Sequence, residues 1–190
     1  MKSRFFSLLF RMKYINRWAL MRNVRYENLK EHSFDVAVIT HALCVIGNKE
    51  NGKNYNIEKA VVYALYHDAS EIFTGDMPTP IKYYNPNIKS VYKDIEREAE
   101  ERLISYLPDE LKKDYRSALN PEEEDVLRLV KAADRIAAII KCREETEAGN
   151  KEFSDAERTQ LKALKEMKLY EADRFIELYL ESFSLSIDRM

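Results

Sequence analysis

The chain has 190 residues, of which 45% are hydrophobic and 34% are charged, and its formal net charge is −2 at pH 7. These values exclude a disordered chain and predict a single domain, residues 1–190, with a sizeable core. The small negative charge argues against a nucleic-acid polymer as partner, because general nucleic-acid binders are strongly basic. No apolar run approaches the roughly 20 residues of a membrane span, so we expect no membrane partner.

The residue types favour helices over strands. Only 4 Gly and 5 Pro interrupt the chain, whereas helix formers such as Ala, Leu, Glu and Lys are plentiful. Cys44 and Cys142 lie in helical patterns without the spacing of a disulfide framework or a zinc ribbon, which fits a reducing cytoplasm. We therefore predict an all-α fold, a bundle of about six or more helices, in a cytoplasmic protein.

The first predicted helix covers about residues 3–15, and its basic flank and short apolar patch resemble those of a signal peptide. The apolar run is interrupted at Ser7 and ends at Arg11, and no small-residue cleavage site follows. We therefore interpret this segment as an amphipathic helix. A second helix is predicted to begin near Glu31 and to end at Gly47, since glycine often ends helices.

The third predicted helix follows Asn56, a favourable N-cap residue, and ends at Gly75. The next segment, DMPTPIKYYNPN, is predicted to be irregular because its prolines remove hydrogen-bond donors and restrict the residues before them. A fourth helix is expected over about residues 88–106, and a short turn is expected after Pro108.

The last two predicted helices each have a start signal. The segment NPEEED, residues 120–125, offers an N-cap, a proline and several acids, which predicts a fifth helix running to about Ala148, with Gly149 as its stop. Ser154 and Glu157 match a capping box, so we predict one long final helix that reaches about Leu180.

Three polar residues interrupt the apolar pattern of the third predicted helix. His67 and Glu71 are four residues apart, so they lie on nearly the same face of a continuous helix, with Asp68 beside them. They could bind a divalent metal ion, or they could form a buried histidine satisfied by a carboxylate. This helix alone does not decide between the two interpretations.

Asp134 lies on the apolar side of the fifth predicted helix, in line with Val130 and Ala137. A carboxylate on a core-facing stripe is costly unless it is paired or bound to a metal. The adjacent Arg135 points elsewhere and is a poor local partner. An aspartate satisfied by a neighbouring helix is the alternative to a metal ligand.

The two other histidines share the second predicted helix. His32 and His41 are nine residues apart, which places them on roughly opposite faces, so at most one of them can reach a common site. Their spacing does not show which one does. A set of two His and two Asp residues from three helices would suit Mn, Fe, Co, Ni or Zn better than Ca.

Several motifs resemble a known family. EHS (31–33), YHDASE (66–71) and KAAD (131–134) match the H…HD…D order of the HD-domain metal-dependent phosphohydrolases. The longer segments INRWALMRNVRYENLKEHS, YHDASEIFTGDMPTPIKYYN and REETEAGNKEF resemble the bacterial YfbR-like 5′-deoxynucleotidases, in the same order and over most of the chain. The resemblance implies an HD-domain helical bundle. It also implies a phosphomonoesterase that hydrolyses deoxyribonucleoside 5′-monophosphates to deoxyribonucleosides and phosphate.

The resemblance also implies roles for individual residues. One divalent transition metal, such as Co²⁺ or Mn²⁺, would be bound by His32, His67, Asp68 and Asp134, which leaves out His41. Glu71 would be the catalytic acid or base, and Asp68 would take part in catalysis. The implied partners are a small-molecule deoxynucleotide substrate and a second copy of the chain in a homodimer. The implied substrate-binding residues are Arg17, Trp18, His32, Asp68, Asp76, Met77, Pro78 and Thr79.

Alternatives remain beside these implications. Without the resemblance, Arg17 would be interpreted as a solvated surface residue, Trp18 as a core residue and Asp76 as a turn residue after the third helix. An HD-domain protein could instead act on another nucleotide substrate, as a broad nucleotidase or a phosphodiesterase. A non-enzymatic helical scaffold with a buried polar network is the third hypothesis.

Overall fold

The computed structural model describes residues 2–78, 81 and 85–189. Within them the chain is helical, and its one β-type pairing is an isolated antiparallel bridge between Asn16 and Asn28. The helices are α1 (Phe5–Leu9), α2 (Leu29–Glu50), α3 (Ile57–Tyr66), α4 (Glu71–Thr74), α5 (Pro86–Ser105), α6 (Asp109–Leu119), α7 (Glu124–Glu147), α8 (Ser154–Glu166) and α9 (Tyr170–Tyr179). The prediction of an all-α fold with six or more helices is confirmed.

Helices α2, α3 and α7 enclose the larger hydrophobic core, against which α8 and α9 also pack. Its centre includes Leu43, Ala64 and Ile136, each with no exposed surface. A smaller cluster joins α1 to the end of α5 through residues such as Phe5 and Leu103. None of the described helices combines the length and apolarity that crossing a bilayer requires.

Helix α2 is longer than predicted at both ends. It begins at Leu29 because the Asn28 side chain accepts hydrogen bonds from two backbone N–H groups in a capping box with Glu31. The prediction that Gly47 ends this helix is wrong, because the helix continues to Glu50. Gly47 instead allows close packing. A Cβ atom at this position would lie 2.9 Å from Glu171 Oε1 and would overlap the Tyr55 ring.

The third predicted helix is divided into two. Asn56 caps α3 as predicted, with its side chain accepting from Lys59 N at 3.0 Å. The chain then leaves the helix at His67, turns through Ser70, and starts the short helix α4 at Glu71. Gly75 ends α4 with φ +72°. The prediction that His67 and Glu71 share one continuous helix face is therefore wrong.

The middle helices differ from their predictions at the ends. Helix α5 begins two residues early because Asn85 caps it, accepting from Ile88 N at 2.9 Å. The short turn predicted after Pro108 is the helix α6. Helix α7 begins at Glu124, so the predicted start at Asn120 is wrong.

The long final helix is also two helices. Helix α8 begins at Ser154, with Phe153 in the N-cap position, and Glu157 accepts from Arg143 Nη2 at 2.8 Å instead of completing a capping box. Lys168, with φ +49°, separates α8 from α9. The stop at Gly149 is confirmed, since its φ of +89° is a left-handed conformation that favours glycine.

The first predicted helix extends as expected but changes type. Helix α1 continues as a 3₁₀ helix over Phe10–Tyr14. Phe5, Leu9 and Met12 are its buried residues, which supports the interpretation as an amphipathic helix that packs on the domain. Thr79 and four of its neighbours in the proline-rich segment lie outside the described residues.

Candidate active site

The break between α3 and α4 determines how His67 and Asp68 are presented. His67 stands at the C-cap of α3, and its Nδ1 lies 2.8 Å from the carbonyl oxygen of Ala64. A carbonyl oxygen only accepts hydrogen bonds, so Nδ1 carries a proton and Nε2 keeps a lone pair in the neutral imidazole. That Nε2 lies 3.2 Å from Asp68 Oδ2.

His32 enters the same site from the first turn of α2. Its side chain is fully buried, and its Nε2 lies 3.6 Å from Asp68 Oδ2 and 3.3 Å from Asp134 Oδ1. The structure thus brings together the four residues that the resemblance implies as metal ligands, from three helical regions. His41 is exposed on α2 and does not take part.

The donor atoms fit a divalent ion. His32, His67 and Asp68 each offer one atom, and these atoms lie within 4.8 Å of one another. The Nε2 atoms of both histidines are buried and make no hydrogen bond of good geometry among the described residues, although carboxylate oxygens of Asp68 and Asp134 lie 3.2 to 3.6 Å away. Such atoms are costly to bury unless a ligand satisfies them. Imidazole and carboxylate donors together suit borderline transition metals, with Asp134 beside His32 as the further carboxylate.

The electrostatics also suit a cation. Burial lowers the pKa of His32, which keeps this imidazole neutral. Burial opposes charge on Asp68 and Asp134, but the neighbouring His67 and Lys131 lower the pKa of these two carboxyls below their ordinary value. Burial also opposes charge on His67, but Asp68 outweighs it and raises the pKa of His67. Two ionised carboxylates therefore face the imidazole nitrogens.

Arg17 is held inside this site. Its Nη1 lies 2.8 Å from Glu27 Oε2 and 2.7 Å from His32 Nδ1, and its side chain is only 13% exposed. Burial would lower the pKa of Arg17, but Glu27 and three site aspartates raise it above its ordinary value. The alternative of a solvated surface arginine is therefore wrong.

Trp18 and Asp76 form the next part of the site. The Trp18 ring packs on Phe153 with 5.3 Å between centroids, and its Nε1 donates to Glu27 Oε2 at 3.0 Å. The Asp76 carboxylate accepts from the Trp18 backbone N–H, and burial raises its pKa. Asp76 is thus more than a turn residue, because it joins the loop after α4 to the segment that carries Arg17.

These residues line a cleft of about 910 Å³, a volume typical of small-molecule sites. Its lining includes His67, Asp68 and Glu71 together with the loop residues Asp76, Met77 and Pro78. Glu71 is the first residue of α4 and is only 6% exposed. The predicted site residues among the described ones therefore meet in or directly behind one cleft.

Two residues of this site were missed from the sequence. Lys131 Nζ lies 2.7 Å from Asp134 Oδ2, one helical turn away, a spacing that could have been noticed. Glu27 contacts both Arg17 and Trp18. Its only sequence signal is that it is the first acidic residue after a strongly basic segment.

The family model for YfbR-like 5′-deoxynucleotidases matches residues 4–183. The chain belongs to this family. A 5′-deoxynucleotidase of Yersinia pestis (strain Pestoides F) is 48% identical over 190 residues, which are 99% of this chain and 96% of the relative. Family membership confirms the resemblance and argues against the non-enzymatic scaffold.

Solved structures show the same fold as this family member. An HD-domain phosphohydrolase from Listeria innocua matches with a TM-score of 0.82 at 21% identity, covering 95% of this chain and 88% of the other. The cyanophage S-2L HD phosphohydrolase DatZ, bound to dA and one catalytic Zn²⁺ ion, matches with a TM-score of 0.67 at 20% identity, covering 94% and 95%. The HD-domain helical bundle is thereby confirmed.

Proposed function

We propose that the protein is a metal-dependent phosphomonoesterase that hydrolyses deoxyribonucleoside 5′-monophosphates to deoxyribonucleosides and phosphate. The observation that carries the proposal is the cluster of donor atoms of His32, His67 and Asp68, which lie within 4.8 Å of one another beside a cleft of about 910 Å³. The activity named for the Yersinia pestis relative supports the same substrate class.

The proposed ligands of the metal are His32, His67, Asp68 and Asp134. A divalent ion bound there would lower the pKa of a water molecule and polarise the phosphoryl oxygens. Glu71 lies buried next to the turn that carries Asp68, where it would orient the attacking water or protonate the departing 5′-oxygen. One transition ion is proposed, Co²⁺, Mn²⁺ or, as in the cyanophage neighbour, Zn²⁺.

Arg17 and Trp18 are the proposed contacts of the nucleotide beyond the metal. The Arg17 guanidinium is a planar fork that suits phosphate oxygens, and its Nε is buried without a partner among the described residues. Trp18 would form a wall against the sugar, and Asp76 would accept a hydrogen bond from the 3′-hydroxyl. Met77, Pro78 and Thr79 complete the proposed substrate loop.

Phosphate release from dAMP and AMP, measured side by side, tests this function. The protein is stripped of metal and then supplied with Mn²⁺, Co²⁺ or Zn²⁺. We expect metal-dependent turnover of dAMP well above that of AMP, and a loss of at least about 100-fold in Asp68→Ala. The matched control is His41→Ala, which removes an exposed histidine of α2 and should retain full activity.

Each other outcome has a definite meaning. Equal turnover of dAMP and AMP would support metal-dependent hydrolysis of the phosphate but contradict the preference for deoxyribose. Hydrolysis of phosphodiesters in place of monoesters would show another HD-domain activity. Retained turnover in Asp68→Ala would contradict the proposed metal site.

We further propose that the protein is a cytoplasmic homodimer of single-domain chains. Cys44 and Cys142 are buried free thiols, which suits a reducing compartment. Phe34 and Val38 are large apolar residues on the outer face of α2, 63% and 53% exposed, and a second copy would cover such a face. Light scattering after size-exclusion chromatography should give a molar mass twice that of the chain. The Phe34→Glu variant should give the mass of a single chain.

A further inference from the structure

Glu27 is closely connected to the site but does not line the cleft. Its side chain is 11% exposed, and its backbone oxygen accepts a hydrogen bond from Arg17 N at 2.9 Å. The neighbouring bridge between Asn16 and Asn28 pairs the same two segments. Glu27 is therefore fixed behind Arg17 by the backbone as well as by its side chain.

One oxygen of Glu27 accepts from two neighbouring residues. Oε2 lies 2.8 Å from Arg17 Nη1 and 3.0 Å from Trp18 Nε1. Side chains of adjacent residues in an extended segment point to opposite sides, but Arg17 and Trp18 both reach the same oxygen of Glu27. Trp18 has a left-handed backbone with φ +59°, which is unfavourable for a non-glycine residue. The shared carboxylate gives this conformation a compensating interaction.

A second carboxylate lies near the other terminal nitrogen of the same guanidinium. Arg17 Nη2 lies 3.8 Å from Asp134 Oδ1, and Asp134 is one of the proposed metal ligands. A charged hydrogen bond at 2.8 Å is stronger than an ion pair at 3.8 Å, so Glu27 is the stronger anchor of Arg17. Without the Glu27 carboxylate, Arg17 would lose the contact that fixes its guanidinium in the position proposed for phosphate binding.

We propose that Glu27 is a positioning residue for the phosphomonoesterase reaction, which orients Arg17 and Trp18 together toward the nucleotide. The proposal rests on the proposed function through the roles of these two residues. Glu27 itself touches neither substrate nor metal. Its removal should therefore affect substrate binding while the metal site remains intact.

Glu27→Gln is the principal test, because glutamine keeps the size and removes the charge. We expect KM for dAMP to rise about tenfold, the effect of weakening one charge-assisted hydrogen bond, with kcat changed less than about threefold. Metal content, measured by atomic absorption, should equal that of the wild type. Trp18 is the only tryptophan, so acrylamide quenching of the intrinsic fluorescence reports its exposure directly, and quenching should increase.

A double-mutant cycle shows whether Glu27 acts through Arg17. In an Arg17→Ala background, Glu27→Gln should change kcat/KM by less than about threefold, because the group that it positions is absent. The matched control is Glu31→Gln, which changes an exposed glutamate four residues later on α2. Glutamine can also complete the capping box, so KM and quenching should match the wild type.

Two results would overturn the proposal. One is a KM for dAMP in Glu27→Gln that equals the wild-type value, whatever the fluorescence shows. The other is a loss of kcat/KM on Glu27→Gln that is equal in the wild-type and Arg17→Ala backgrounds. If Glu27→Gln does not fold, Glu27→Asp replaces it, since aspartate keeps the charge but is too short to reach both donors, and the same rise in KM is expected. A wild-type protein that does not hydrolyse dAMP would instead contradict the proposed function.

Discussion

Glu145 shows how a single buried side chain supports the site from outside it. Its carboxylate accepts from the backbone N–H groups of Val24 and Arg25 at 2.8 and 3.0 Å. Lys141 Nζ and Asn150 Nδ2 lie 2.5 and 2.9 Å from the same carboxylate. Through these bonds α7 anchors the irregular segment between Trp18 and α2.

This carboxylate should make stability depend on pH. Burial would raise the pKa of Glu145, but the hydrogen bonds outweigh burial and lower it from 4.5 to about 2. Because the pKa of Glu145 is lower in the folded chain than in the unfolded chain, its ionised carboxylate stabilises the fold at pH values above about 4.5. This contribution is lost as pH falls from about 4.5 toward 2. We expect Glu145→Gln to reduce the free energy of unfolding at pH 7 by about 1–3 kcal/mol.

Urea unfolding at several pH values between 2.5 and 7 measures this effect. The difference between wild type and Glu145→Gln should narrow as pH falls from about 4.5 toward 2, because the carboxyl of the unfolded wild-type chain becomes protonated there while the folded one is still ionised. Glu147→Gln, an exposed change in the same turn of α7, should behave as the wild type throughout. A difference that is constant with pH would contradict the assigned pKa.

At the scale of the elements, the caps decide where helices begin. Asn28 accepts from Lys30 N and Glu31 N at 3.0 and 3.1 Å, whereas Asn120, predicted as a cap from the sequence, lies at the C-cap of α6. Asn28→Ala should reduce the free energy of unfolding by about 1 kcal/mol, and Asn120→Ala by less than about 0.5 kcal/mol. Denaturant titration compares the two, and similar losses would contradict this assignment.

The same comparison shows what could be predicted from the sequence. Local signals sufficed where a residue determines the conformation of the backbone within a few residues of itself, as at Asn56 and Gly149. They failed where distant contacts decide, as at Gly47, which packs against Tyr55 and Glu171. The breaks at His67 and Lys168 were also missed, because the apolar pattern continues across them.

The grouping of the proposed site residues was predicted better than their surroundings. The family motifs predicted His32, His67, Asp68 and Asp134 as one metal site, and the structure brings these four side chains together, while their role as ligands stays a prediction. Their support could not be predicted, because Glu145 is about 120 residues from the backbone groups that it holds, and Glu27 acts across an irregular segment whose course no local pattern gives. Nothing in the local pattern indicates which of many glutamates will be buried.

At the scale of the whole molecule, the proposed ligands connect α2, α3 and α7, the helices around the larger core. An ion that binds only the folded chain stabilises it by mass action, by about 2.7 kcal/mol at 100 times its Kd. We therefore expect the melting temperature to rise with added Zn²⁺ or Mn²⁺ and to fall with EDTA. Asp134→Asn should abolish the rise, and Asp155→Asn, a change in an exposed acid of α8, should preserve it.

Differential scanning calorimetry of the stripped and reloaded protein measures this effect. A rise that persists in Asp134→Asn would remove Asp134 from the ligand set and leave the three residues whose donor atoms lie within 4.8 Å of one another. No rise in the wild type would contradict a metal site at these residues.

The capping box at the start of α2 also limits how chains of this kind can vary in length. Only four residues separate Glu27 from His32, and Asn28 and Glu31, which form the box, are among them. One inserted residue would rotate His32 by about 100° relative to Glu27. The imidazole would then leave the site, and the Glu27 carboxylate that anchors Arg17 would no longer be aligned with it. Functional relatives are therefore free to exchange Lys30, which is exposed, but insertions and deletions in this interval should be absent from them.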